Sequence, residues 1–131
     1  MIGFIAGVFL VLHGLVHLLY CGHSARLFEL QPGLTWPADS WAFSGLLKEN
    51  GLRTLAGVLC ILAAAGFVVA GAGVILSQSW WRAAAVAAVV SSGILYLLFW
   101  NGRLQRLDGQ GGIGLLIDLA ILLAVLVFGW P

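Results

Sequence analysis

Polar residues interrupt this chain rarely and in clusters, and the long stretches between the clusters define its elements. Residues 2–20 contain no Lys, Arg, Asp or Glu, and the same holds for residues 54–76 and 83–100. At 1.5 Å per residue such runs approach or exceed the roughly 30 Å of bilayer hydrocarbon, and in lipid an apolar run closes its backbone hydrogen bonds internally only as a helix. A fourth run, residues 113–128, is broken by a single charge, Asp118. The pattern therefore predicts a single domain with four spans, over about residues 2–20, 54–76, 83–100 and 113–128.

The connections differ in character. Residues 21–51 carry Arg26, Glu29, Pro32, Pro37, Asp39, Lys48 and Glu49, which end any spanning pattern. Short helical pieces are expected over residues 24–30 and 40–49, the second entered at an N-cap candidate, Asp39, and closed by Gly51. Trp36, Trp41, Phe43, Leu46 and Leu47 suit a segment lying on the membrane surface. Ser77-Gln78-Ser79 reads as a tight turn into the interfacial pair Trp80-Trp81, and residues 103–112 as a polar, glycine-rich turn. The fold class that follows is an all-α, integral membrane, antiparallel four-helix bundle with a long, partly helical first connection.

Composition agrees: 62% of the 131 residues are hydrophobic and 8% charged, against about 25% charged in soluble domains. The formal net charge of +1 offers no basic stripe for nucleic acid, which is excluded as a partner; the lipid bilayer is the expected one. Met1 is followed by apolar residues with no basic segment, so residues 2–20 read as a retained span and not a signal peptide. Cys21 and Cys60 form no CxxC pair and read as isolated thiols. The first and third connections hold Arg26, Lys48, Arg53, Arg103 and Arg106 while the opposite side holds Arg82 alone, which places those connections in the cytoplasm and both termini outside.

Candidate chemistry sits in the first span. His13 and His17 are four residues apart, so both imidazoles leave one helical face, with Gly14 between them making room for a neighbouring backbone. In an antiparallel bundle the end of the first span and the start of the fourth share a side. His17 then lies roughly 5 Å and His13 roughly 10 Å below Tyr20, while Asp118 lies about 7 Å below Ile113. Asp118 falls between the histidines in depth, and Tyr96 and Cys60 reach comparable levels. A carboxyl group inside a span is costly and faces a partner, so His13, His17, Asp118 and Tyr96 form the expected polar site.

Several uses of that layer are open. The side chains can hydrogen-bond across helices as struts. His13, His17 and Asp118 can ligate a metal ion if Cys21, His23 or Cys60 completes the set, although no HExxH motif is present. The same residues, with Tyr96, Cys60 and Trp41 nearby, can offer a quinone site, or they can relay protons. Haem fits poorly, because its two axial ligands come from opposite faces and both intramembrane histidines share one helix. No nucleotide, phosphate or nucleophile motif is present.

His13-Gly14 late in the first span and Ala56-Gly57 early in the second resemble the small four-span bacterial membrane proteins of the DoxX-like group, in which a His-Gly pair closes the first helix and an Ala-Gly-x-x-Glu run opens the second. Here the Glu position is Cys60, and the arginine common before the first helix is missing. The resemblance implies a protein of the bacterial cytoplasmic membrane linked to redox or stress physiology, in some members a subunit partnering a quinone-reducing enzyme.

The function expected is that of a small integral membrane protein, an accessory or self-associating subunit, as a homo-oligomer or within a larger membrane complex, with a buried His/Asp site and no enzymatic activity of its own. The alternatives are a redox membrane subunit binding quinone or metal, and a small transporter or proton pathway.

Overall fold

The computed structural model describes residues 1–28, 43, 45–99 and 112–131. Within them the chain is all-helical: α1 (Ile2–Ser24), α2 (Glu49–Ile75), α3 (Trp81–Leu98) and α4 (Gly112–Leu126). α1, α2 and α3 are long and apolar enough to cross a membrane. α4 is equally apolar but has 15 residues, about 22 Å of helix against roughly 30 Å of hydrocarbon.

Packing is sequential, α1 on α2, α2 on α3 and α3 on α4, and the contacts fix the directions. Gly7 of α1 meets Gly71, Gly14 meets Ala64 and Phe67, and Cys21 and Ser24 approach Gly57, so numbers rise along one helix as they fall along the other. The same inversion relates α2 to α3, through Gly66 against Ala88 and Gly73 against Trp80 and Trp81. Tyr96 against Gly114 and Arg82 against Gly129 repeat it for α3 and α4. The bundle is antiparallel.

Small residues set the closest approach. A Cβ on Gly7 would stand 2.8 Å from the Gly71 carbonyl oxygen, and one on Gly14 would stand 2.8 Å from Cβ of Phe67. Such proximity replaces the hydrophobic force that lipid does not supply, because backbone-to-backbone van der Waals contact grows as side chains shrink.

Helix ends differ from expectation where they can be compared. α1 runs on through Ser24 and ends in a turn over residues 25–28, so no separate helix forms over 24–28. Backbone N–H groups of Leu27 and Arg26 donate hydrogen bonds to the Gly22 and His23 carbonyls and close this end in a Schellman arrangement, with Arg26 at φ 61° in the position that favours glycine. α2 starts at Glu49 after turns at residues 45–47, and Gly51 lies inside it instead of ending a preceding helix. The first connection is thus helical at its two ends. The expectations placed on Glu29, Pro32, Trp36, Pro37, Asp39, Trp41, Arg103 and Arg106 lie outside the described residues.

Two apolar clusters make up the core. One gathers Leu10, Phe67, Val74, Val89, Ile121 and Val125 from all four helices; the other gathers Leu52, Cys60, Leu95, Tyr96 and Phe99 from α2 and α3. Outside, Phe4, Leu12, Leu62, Leu97 and Leu116 are more than half exposed while His13, His17, Ser92 and Asp118 are buried. Polar side chains inside and large apolar ones outside invert the arrangement of a soluble domain, and suit a chain whose solvent is hydrocarbon. The protein is a small membrane protein.

Candidate functional site

The two core clusters are separated by a polar layer. Along α1 the buried or half-buried sequence is Leu10, His13, His17, Tyr20; along α3 it is Val89, Ser92, Leu95; along α4 it is Leu115, Asp118, Ile121. Each of these helices therefore contributes polar side chains between apolar ones, at helical spacing, and the contributions meet at one level.

His13 Nε2 lies 2.9 Å from Asp118 Oδ1, tying α1 to α4, two helices whose backbones otherwise approach little. His17 points its Nδ1 at the His13 carbonyl oxygen, 3.1 Å away, and its Nε2 at Ser92 Oγ, 2.8 Å away. A carbonyl only accepts, so Nδ1 of His17 carries the hydrogen; in the neutral ring Nε2 is then an acceptor, and the Ser92 hydroxyl donates to it. One tautomer of His17 satisfies both bonds.

Aromatic rings wall the layer. Phe67 of α2 lies edge-on to His13, with centroids 4.7 Å apart, and tilted against His17 at 5.4 Å. Phe9 stacks on His13 at 6.2 Å, and Tyr96 leans on His17 at 5.8 Å. Tyr96 meets Tyr20 on its other side, and its ring also packs on Gly114 at the start of α4.

All four residues of the expected polar site are thus brought together. Of the two histidines level with it, Asp118 bonds to His13, one turn deeper than His17, and His17 pairs with Ser92. Ser92 and Phe67 are participants that the reading of the chain overlooked. Ser91-Ser92 was the available signal, a hydroxyl pair inside an uncharged run. Cys60 is buried beside Tyr96 and Leu95 and belongs to the adjoining apolar cluster; Cys21 is partly exposed near the end of α1.

A metal would need at least three converging ligands. Among the described residues no three His, Cys, Asp or Glu side chains are so grouped, and both ring nitrogens of His17 are directed at protein partners. One acceptor stands apart: Asp118 Oδ2 is buried without a hydrogen-bond partner among the described residues.

Comparison of the chain with known family models, with curated proteins and with solved structures gives no match.

Proposed function

We propose that the chain is a non-enzymatic accessory subunit of a bacterial cytoplasmic membrane assembly, self-associating or partner-bound, in which the His13–Asp118 and His17–Ser92 bonds hold the helices in register. The observation that carries this reading is closure. The four side chains are at most 7% exposed and bond in pairs, and none of them lines the crevice between the end of α1 and the head of α2 or the cleft between α1 and α4. A group that turns over a substrate must be reachable by it, and these are closed off by the helices packed around them. The excess of basic residues in the first and third connections supports termini on the outer side. Lipid-facing leucines along α4, Leu116 and Leu126 among them, offer an apolar flank for a second copy or a partner helix.

The test is to replace the pair by packing alone. In a His13→Leu/Asp118→Leu double variant the accessory reading expects the assembly measured by light scattering in mild detergent to persist, since apolar substitutes often match a buried polar pair. Loss of a bound species with the assembly intact would instead make the pair a ligand site.

A second reading, a redox subunit that holds a quinone in the manner the DoxX-like resemblance implies, draws on one specific feature. A cleft of about 280 Å³ between α1 and α4 is walled by Phe9, Leu10, Ile117 and Ile121, close to the lower limit of roughly 300 Å³ for small-molecule sites. Phe9 stacks on His13 and Ile117 adjoins Asp118, whose Oδ2 has no partner among the described residues. Extraction of gently purified protein would return a stoichiometric quinone under this reading and none under the first.

A further inference from the structure

The end of α1 and the head of α2 enclose a second crevice of about 410 Å³, at the border between the apolar spans and the charged first connection. Its lining changes character along one stripe of α2: Asn50, Arg53 and Thr54 at the polar end, then Val58 and Ile61, with Arg26 closing the polar mouth from the α1 side. Asn50 to Ile61 spans about 16 Å along the helix axis. Val58 and Ile61 are each 50% exposed, so the apolar end opens sideways into the hydrocarbon and not only toward water.

Among the described residues the charges in the mouth do not cancel. Arg26 Nη2 and Arg53 Nε both bond to the same oxygen of Glu49, at 3.0 and 3.1 Å. Two guanidinium groups sharing one carboxylate leave a local charge of one positive unit. Arg53 also donates from Nη1 to the carbonyls of His23 and Ser24, capping α1. A guanidinium has five N–H donors, so among the described residues Nη2 of Arg53 and the remaining donors of Arg26 are left over, both beside the crevice. A ligand that matches these features has an anionic oxygen acceptor at one end, an acyl chain at the other and no ammonium group competing for the cationic mouth.

We propose that this crevice binds an anionic phospholipid, its phosphate on Arg26 and Arg53 and its acyl chain along Val58 and Ile61. A lipid enters laterally from the bilayer, which a soluble phosphate does not, and the net positive charge selects a phosphatidylglycerol-type headgroup over a zwitterionic one.

The experiment uses the full chain in mixed micelles, with bound lipid counted by native mass spectrometry. Titrants are phosphatidylglycerol, phosphatidylcholine and inorganic phosphate. Phosphatidylglycerol is expected to be retained over phosphatidylcholine by about fivefold per unit of charge. Arg26→Gln removes that preference, and Glu49→Gln strengthens it by freeing both guanidinium groups. Because Glu49→Gln predicts a gain, the test does not depend on a variant that merely unfolds, as Arg53→Gln could through its capping role. Ile61→Trp, which fills the apolar half, lowers lipid retention. Equal retention of the two lipids, or an unchanged preference in both charge variants, overturns the proposal. If inorganic phosphate displaces the lipid fully and Ile61→Trp has no effect, the site takes a free phosphate and the lipid assignment is wrong.

Discussion

The imidazole of His13 and the carboxyl of Asp118, 105 positions apart in the chain, meet at 2.9 Å with side-chain exposures of 6% and 3%. This bond is the main polar tie between the first helix and the last. Removing one partner should therefore cost more than removing both. Asp118→Leu alone strands a buried ring nitrogen and is expected to lower stability by about 1–3 kcal/mol, while His13→Leu/Asp118→Leu recovers part of that loss. Denaturation in detergent of the two single variants and the double variant gives the coupling, expected at about 0.5–3 kcal/mol; strictly additive losses would mean that the bond contributes nothing.

His17 has a tautomer that the geometry dictates. Nitrogen-15 spectra of histidine-labelled protein should show the neutral ring of His17 protonated at Nδ1, with Nε2 accepting. Ser92→Ala should shift the Nε2 resonance and lower stability by about 1–2 kcal/mol, because it removes the donor from a buried acceptor. Finding the hydrogen on Nε2 would contradict the hydrogen-bond assignment.

Two glycines should respond oppositely to the same substitution. A Cβ on Gly71 would stand 2.5 Å from the Gly7 carbonyl, whereas one on Gly93 meets nothing within 4 Å. Gly71→Ala is expected to destabilise by about 1–3 kcal/mol through the forced separation of α1 and α2. Gly93→Ala should be neutral or stabilising by up to about 1 kcal/mol, as helix propensity favours alanine. Melting temperatures measured side by side decide this, and equal shifts would argue against the close α1–α2 contact.

The turn after α2 holds Ser77 at φ 54°, with Gln78 donating to the Gly73 carbonyl and Ser77 to the Val74 carbonyl. A left-handed residue with a Cβ is strained, so Ser77→Gly should raise stability by about 0.5–1 kcal/mol. Arg26 shares the conformation at φ 61°, but Arg26→Gly also deletes the Glu49 ion pair and should gain less. Equilibrium unfolding of both variants tests the difference in sign or size.

The elements, the membrane solvent and the level of the polar layer are properties of the sequence by itself. Uncharged runs of spanning length leave the backbone no alternative to helix in lipid, and an antiparallel order places His13, His17 and Asp118 at similar depth by arithmetic alone. What only the tertiary structure decided is pairing. A rise of 1.5 Å per residue sets depth, but each helix is free to rotate about its axis until its neighbours pack, and the rotation chooses which groups touch. The contacts of Gly7 with Gly71 and Gly14 with Phe67 orient α1 against α2; with α1 in place, His13 meets Asp118 and His17 meets Ser92. The hydroxyl pair Ser91-Ser92 does not by itself single out Ser92, because a serine in an apolar run often satisfies itself on its own helix, as Ser91 does on the Ala87 carbonyl. Nor does helix periodicity reveal that Arg26 and Arg53, 27 positions apart in number, share a single carboxylate. Folding back at the end of α1 brings them there.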